Sequence, residues 1–167
     1  MGPRAGDRYQ VVDPDDAPAV HAELRRQLGR FRTLMGTDPT HLDSHQHAHQ
    51  QGPLAEAVDA LGKELGVPVR GRTPRVRYRG DFYGQSGNGE PLHDFITVQA
   101  LLGVLATLDD GVTELACHPA FDADVDSAYA AERPMELHAL CDPRVRLALA
   151  SQDVRLVSFA AVREALR

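Results

Sequence analysis

The sequence has few of the features that mark secreted or membrane proteins. Its 167 residues contain only two cysteines, Cys117 and Cys141, which are too few for a disulfide framework. No apolar run approaches the roughly 18 residues that a membrane-spanning helix needs. The segment Met1–Arg8 lacks the apolar core of a secretory signal. We therefore expect a cytoplasmic protein with no membrane partner, whose cysteines remain thiols.

The charge balance also lacks a basic excess, since 24 acidic side chains outnumber 18 basic ones. A net charge of −6 argues against a general nucleic-acid partner, because such proteins neutralise phosphates with lysine and arginine. Hydrophobic residues make up 43% of the chain, which is enough for a folded core at this length. The sequence thus predicts a single globular domain over residues 1–167.

Helical and strand patterns alternate along the chain. Periodicity and caps predict a helix that follows Asp15 or Asp16 and ends at Gly36, and further helices over about 54–65, 95–108, 134–140, 144–150 and 159–166. Short apolar runs predict strands over 40–46, 67–69, 112–117 and 154–157, with a long loop over 71–91. This order is typical of an α/β fold with a mostly parallel sheet. A closed (β/α) barrel has eight strands and typically needs about 250 residues. Four predicted strands are therefore too few to close one.

The most informative segment spans residues 41–49 and places chemically active side chains at alternate positions. These side chains are His41, Asp43, His45, His47 and His49. On an extended strand they would all lie on one face until the strand gives way to a loop. Imidazole and carboxylate are usual ligands of Zn²⁺, Mn²⁺ or Fe²⁺, and a nearby carboxylate can bind the ion, orient a histidine or accept a proton. The segment therefore predicts part of a metal site.

Three further positions, at or near the ends of predicted strands, are considered as candidate site residues. The run Glu114–Pro119 predicts a buried strand that ends at His118, which is a candidate ligand, acid or oxyanion stabiliser. Its neighbour Cys117 would point to the opposite face, so we expect a structural thiol there. The arginines between residues 70 and 79 predict a solvated loop for the most part. Arg70 is the exception, because it ends a predicted strand, where its side chain would point into a site.

With these residues placed, the chain resembles the YdjC-like carbohydrate deacetylases from about Ala17 to its C-terminus. The resemblance rests on Pro39–His47, Arg70, Phe82–Gly84, Glu114–Pro119 and, later, Arg133 with Glu136 and Leu137. It implies a distorted (β/α) barrel that removes acetyl groups from N-acetylated sugars, including chitooligosaccharides. It also implies a divalent metal ion, Mg²⁺ in the family, with Zn²⁺ and Mn²⁺ as alternatives.

The resemblance also implies roles for individual residues. His45 would bind the metal, and Asp43 would orient a ligand or support the catalytic base. His118 would stabilise the tetrahedral intermediate or protonate the leaving amine. Arg70 and Tyr83 would contact the sugar.

The chain departs from the family pattern in lacking its Ala-Asp-Asp-Phe-Gly-like and Gly-Leu-His-like motifs, which carry two of the three metal ligands. We therefore expect a domain that lacks the N-terminal strands and has little activity alone. One alternative is another amidohydrolase-like metallohydrolase that uses the pair His45 and His47. A second is a degenerate, non-catalytic domain that binds sugar or a partner. An open half-barrel exposes apolar sheet edges, which would favour association into a homodimer.

Overall fold

The computed structural model describes residues 11–121 and 127–165. These residues form two compact units, one built from 11–74 and 157–165 and the other from 75–156 apart from its undescribed segment. The elements are, in chain order, helices α1 (Ala17–Met35) and α2 (Gly52–Leu65), strand β1 (Val76–Arg79), helix α3 (Val98–Ala106), strand β2 (Val112–Leu115), and helices α4 (Glu132–Cys141), α5 (Pro143–Ser151) and α6 (Phe159–Ala165). Two short 3₁₀ turns span His45–Gln50 and His93–Ile96.

The first unit is built on the pair α1 and α2. Helix α1 begins where Asp16 caps it by accepting the Ala19 N–H at 3.1 Å, and it ends at Gly36, whose φ of 68° is left-handed. Its apolar face packs on α2, and the buried side chains between them are Leu28, Leu61, Leu65 and Val67. Both helices were predicted, because caps, terminal glycines and apolar periodicity are local signals.

The second unit contains a parallel two-stranded sheet. Strands β1 and β2 pair in register from Val76 with Val112 to Arg79 with Leu115. The prediction of a loop throughout 71–91 is therefore wrong at β1. The four residues of β1 carry two arginines and give a weak local signal, and the strand is defined by its hydrogen bonds to β2.

The other predicted strands are shorter than expected or missing. Among the described residues of the first unit, one parallel bridge forms, between Leu42 and Val69, within the predicted strands 40–46 and 67–69. The predicted strand at 154–157 is wrong, since these residues form no ladder. Leu156 is 83% exposed, so this apolar run is not buried against another strand.

Helices α3, α4 and α5 supply the core of the second unit. The buried side chains are Phe82, Ile96, Leu101, Leu105, Ala139 and Val145. The described residues thus form a mixed α/β structure with a parallel sheet of two strands. The distorted barrel and the single domain stay predictions. Among the described helices, each is too short or too polar to cross a membrane.

Candidate functional site

The histidine-rich segment leaves the extended conformation at its midpoint. Leu42 donates its N–H to Pro68 and accepts the Arg70 N–H, both at 2.9 Å, so the chain is strand-like there. The 3₁₀ turn then begins at His45, and two consecutive residues inside it, Gln46 and His47, have left-handed φ values of 53° and 56°. The alternation of faces therefore holds only for the residues before this turn.

The buried side chain of His49 holds the strained turn in place through hydrogen bonds. Left-handed residues other than glycine each cost on the order of 1–3 kcal/mol and persist only where surrounding contacts hold them. His49 is 0% exposed. Its Nε2 lies 2.8 Å from the carbonyl oxygen of Arg70, and its Nδ1 lies 2.7 Å from Ser44 Oγ. Ser44 Oγ also accepts the His49 N–H at 3.0 Å.

These distances define the tautomer of His49. A carbonyl oxygen can only accept, so Nε2 carries the hydrogen that is donated to Arg70. In the neutral ring Nδ1 then accepts the Ser44 hydroxyl. Both ring nitrogens are thus occupied by protein partners, which makes His49 a structural residue and excludes it as a metal ligand in this conformation.

Asp43 and Arg70 form an ion pair beside this turn. Arg70 Nη1 lies 2.8 Å from Asp43 Oδ2, and Asp43 Oδ1 accepts the Ser44 N–H at 2.7 Å. The Arg70 side chain is 24% exposed and the Asp43 side chain is 30% exposed, so the pair is accessible to a small molecule. The sequence-predicted residues Asp43 and Arg70 are therefore brought together.

His41 and His45 lie two residues before and two residues after Asp43 in the chain. His45 is exposed at the first position of the turn. His41 stacks on Phe159, with ring centroids 4.0 Å apart, and its Nδ1 lies 3.1 Å from Thr40 Oγ1. Within residues 11–121 and 127–165, no three His, Cys, Asp or Glu side chains lie close enough to hold a metal ion. The described residues thus do not by themselves fit a complete metal centre.

In the second unit, His118 follows β2 and is held by its main chain. Its N–H donates to Glu136 Oε2, and its carbonyl oxygen accepts a hydrogen bond from Arg133 Nη1 at 3.2 Å. Both partners lie on α4, three residues apart and therefore on one helix face. Helix α4 thereby fixes the two peptide groups that flank the His118 side chain.

Three aromatic rings form a small cluster around His118. Tyr83 and Tyr129 are stacked with centroids 4.6 Å apart and an interplanar angle of 1°. The His118 ring meets both edge-on, with centroids 5.5 Å away in each case. Tyr83 is 37% exposed. The structure therefore joins the predicted residues His118 and Tyr83 on one partly exposed aromatic surface.

Burial and charge make the two tyrosines weaker acids. Burial raises the pKa of Tyr129, and its hydrogen bond to the Glu136 carboxylate raises the pKa further. Burial also raises the pKa of Tyr83, and the negative charges of Glu132 and Glu136 add to that effect. Both phenols remain neutral donors near neutral pH.

The sequence assigned no role to several side chains around His118 and Tyr83. Glu136 and Glu132 are buried carboxylates, at 0% and 3% exposure. Glu132 Oε1 accepts from Gln85 Nε2 at 3.0 Å. Nothing in the local pattern of α4 distinguishes these glutamates from solvated ones. Tyr129 was not predicted either, because its ring stacks on Tyr83, a residue distant in sequence.

The arginine run is engaged by carboxylates of the protein itself. Arg72 pairs with Asp59, Arg79 with Asp81 at 2.5 Å, and Arg77 with Asp109 at 3.3 Å. These pairs agree with the interpretation that most of the run is a solvated surface rather than an anion-binding patch. Cys117 is half-buried and Cys141 is exposed, both as thiols.

A family model described as YdjC-like protein matches residues 6–151. This span contains the ion pair of Asp43 with Arg70 and the aromatic cluster around His118. The chain therefore belongs to the YdjC-like protein family.

Individual relatives agree with this placement. The chain is 34% identical to a chitooligosaccharide deacetylase of Serratia marcescens, over 84% of this chain and 59% of the relative. It is 33% identical to a carbohydrate deacetylase of Vibrio parahaemolyticus, over 88% and 59%. It is 32% identical to a carbohydrate deacetylase of Geobacillus stearothermophilus, over 94% and 64%. The chain thus spans about three fifths of the length of these curated relatives.

The fold is similar to that of a solved structure. A crystal structure from Enterococcus faecalis V583, provisionally described as a cellobiose-phosphate cleavage protein, superposes with a TM-score of 0.69. The match covers 88% of this chain and 61% of that one at 22% identity. At this identity the similarity shows a shared fold.

Proposed function

We propose that this protein is a carbohydrate N-deacetylase, which hydrolyses the acetamide of an N-acetylated sugar such as a chitooligosaccharide. The observation that carries the proposal is the family match over residues 6–151. The relatives named as deacetylases of chitooligosaccharides and carbohydrates support the substrate class. The partner of the protein is accordingly a small sugar. In the reaction, water adds to the acetyl carbon, the C–N bond breaks, and acetate and a sugar amine are released.

Each of the two units carries side chains suited to this hydrolysis. In the proposal Asp43, held by Arg70, accepts a proton or orients the group that does. His118 donates a proton to the leaving amine or a hydrogen bond to the oxyanion. Tyr83 offers a partly exposed ring face, and aromatic faces commonly pack on sugar rings and other ligands with mixed apolar and polar surfaces. Arg70 contributes to sugar binding from the same position in which it holds Asp43.

We also propose that the protein binds a divalent metal ion, Mg²⁺ by family resemblance, with His45 as one ligand. The exposed position of His45 at the start of a strained turn supports this assignment, because strained segments cluster at ligand sites. Metal content of the purified protein tests it. Substitution His45→Ala should remove the ion, whereas His47→Ala should leave it bound. The opposite result would favour an amidohydrolase-like site instead.

The proposed activity is tested by acetate release. Purified protein is incubated with N-acetylated chitooligosaccharides and with a divalent metal ion, and acetate is measured against time. We expect release from the N-acetylated sugars and none from the same sugars after chemical deacetylation. The absolute rate of acetate release also tests whether this chain alone has the low activity that the sequence predicts. A protein that binds these sugars and releases no acetate would be the degenerate binding domain.

A further inference from the structure

The carboxylate of Glu136 is fully buried and both of its oxygens accept hydrogen bonds. Oε2 accepts the His118 N–H, and Oε1 accepts the Tyr129 hydroxyl at 2.5 Å. The Tyr129 oxygen in turn accepts the Gly84 N–H at 2.6 Å. We refer to these four groups as the Glu136 network. It connects helix α4 with the segment after β2, the segment before α4 and the segment after β1.

Burying a carboxylate is unfavourable unless hydrogen bonds compensate for its lost hydration. Hydrogen bonds to a charged acceptor are roughly twice as strong as neutral ones and have stricter geometry. An apolar side chain at position 136 would fill the same space at no such cost. The charged group therefore provides what an apolar one cannot, a fixed direction for the His118 N–H and the Tyr129 hydroxyl.

A close approach at Gly84 completes the network. A Cβ atom at this position would lie 3.1 Å from the Tyr129 hydroxyl and 2.6 Å from Ile96 Cδ1. A larger residue would crowd both neighbours, so glycine lets the main chain approach the phenol without displacing them. Tyr83, the preceding residue, is thereby held with its ring parallel to that of Tyr129.

We propose that Glu136 and Tyr129 are positioning residues, which hold the His118 imidazole and the Tyr83 ring in one fixed arrangement for catalysis. Neither residue needs to touch the substrate. The proposal rests on the proposed function, because His118 and Tyr83 are assigned there to the sugar and the leaving amine. The Glu136 network itself is independent of that assignment and can be tested separately.

The first test uses NMR and does not depend on activity. Substitution Glu136→Gln preserves shape but removes the charge, and the amide nitrogen can only donate, so one of the two hydrogen bonds must reverse its direction or break. We expect the His118 amide signal and the His118 ring signals to shift. The matched control is Glu132→Gln, a buried glutamate of the same helix whose bonds lead to Gln85 and not to His118. Unchanged His118 signals in Glu136→Gln would overturn the proposal.

A second variant keeps the test decisive if Glu136→Gln does not fold. Substitution Tyr129→Phe removes only the hydroxyl, and the stacked ring remains. We expect the Gly84 amide signal and the His118 ring signals to move in this variant. If they stay where they are in the wild type, the Glu136 network does not position these residues.

Kinetics then distinguish positioning from a purely structural role. Misplacement of a reacting group by about 1 Å can cost roughly 100-fold in rate. We expect both variants to lower kcat by about 10- to 100-fold, with KM changed by about twofold at most. Equal kcat in folded variants would contradict positioning. Absence of any acetate release by the wild type would instead contradict the proposed function, and the NMR result would still decide whether the network exists.

Discussion

The buried ring of His49 donates a hydrogen bond to the main-chain carbonyl of Arg70 across 2.8 Å. The two residues are 21 positions apart, and the bond joins the strained turn at His45–Gln50 to the end of the segment that bridges Leu42. Arg70 is thus held through its main chain by His49 and through its side chain by Asp43. The histidine-rich segment thus combines structural and chemical residues.

Replacing His49 should destabilise the protein strongly. Substitution His49→Ala leaves a cavity, removes the donor to the Arg70 carbonyl and removes the ring acceptor of the Ser44 hydroxyl. We expect a loss of about 2–4 kcal/mol in the free energy of unfolding, measured with urea. The control is His45→Ala at an exposed position, which should change stability by about 0.5 kcal/mol or less. Similar losses in both variants would contradict a structural role specific to His49.

The ion pair between Asp43 and Arg70 should be measurable by a double-mutant cycle. The variants are Asp43→Asn, Arg70→Gln and the double substitution. Because both side chains are partly exposed, we expect a coupling of about 0.5–1 kcal/mol in the free energy of unfolding. Additive effects would show that the two side chains do not interact in solution.

Substitution Gly84→Ala should be costly because of the contacts around its missing Cβ. The new methyl group would lie 2.6 Å from Ile96 Cδ1 and 2.9 Å from Glu132 Cγ. Overpacking of this kind costs about 1–3 kcal/mol in unfolding free energy. The nearby Gly87 provides the control, since no heavy atom lies within 4 Å of its Cβ position. An equal effect of Gly84→Ala and Gly87→Ala on urea unfolding would argue against the close approach.

The raised pKa of Tyr129 predicts a change of stability at alkaline pH. A group whose pKa is higher in the folded protein stabilises the fold fully below its ordinary pKa of 10.0. That contribution is lost as the pH rises through the higher pKa of the folded state. Urea unfolding between about pH 10 and pH 12 should therefore show a steeper loss of stability in the wild type than in Tyr129→Phe. Parallel curves would contradict the burial of this phenol beside a carboxylate.

The parts of the fold that were predicted from the sequence depend on local signals. Asp16 and Gly36 bound α1 because a cap and a left-handed glycine act within one turn of the helix. Strand β1 was missed because its pairing partner, β2, lies more than thirty residues further along the chain. The strand expected at 154–157 was wrong because an apolar run does not form a strand without a neighbour.

The candidate site shows the same division. The alternating pattern of residues 41–49 and the predicted strand ends made Asp43, Arg70 and His118 candidate site residues, and the structure pairs the first two directly. The sequence placed Glu136 in the family resemblance but assigned it no role, and it did not reveal the structural role of His49. Both roles follow from burial and from partners distant in sequence. Residue type and spacing predict which chemical groups a segment offers. The hydrogen bonds of the folded chain decide which of these groups already have partners within the protein.

The most direct measurement compares two aspartates that resemble each other closely. Asp43 pairs with Arg70 and Asp59 pairs with Arg72, and their side chains are 30% and 32% exposed. Acetate release from N-acetylated chitooligosaccharides is measured at high protein concentration, so that a slow rate still registers. We expect Asp59→Asn to retain the wild-type rate and Asp43→Asn to lose about 100-fold or more. Equal rates in the two variants, or no release by the wild type, would contradict the account.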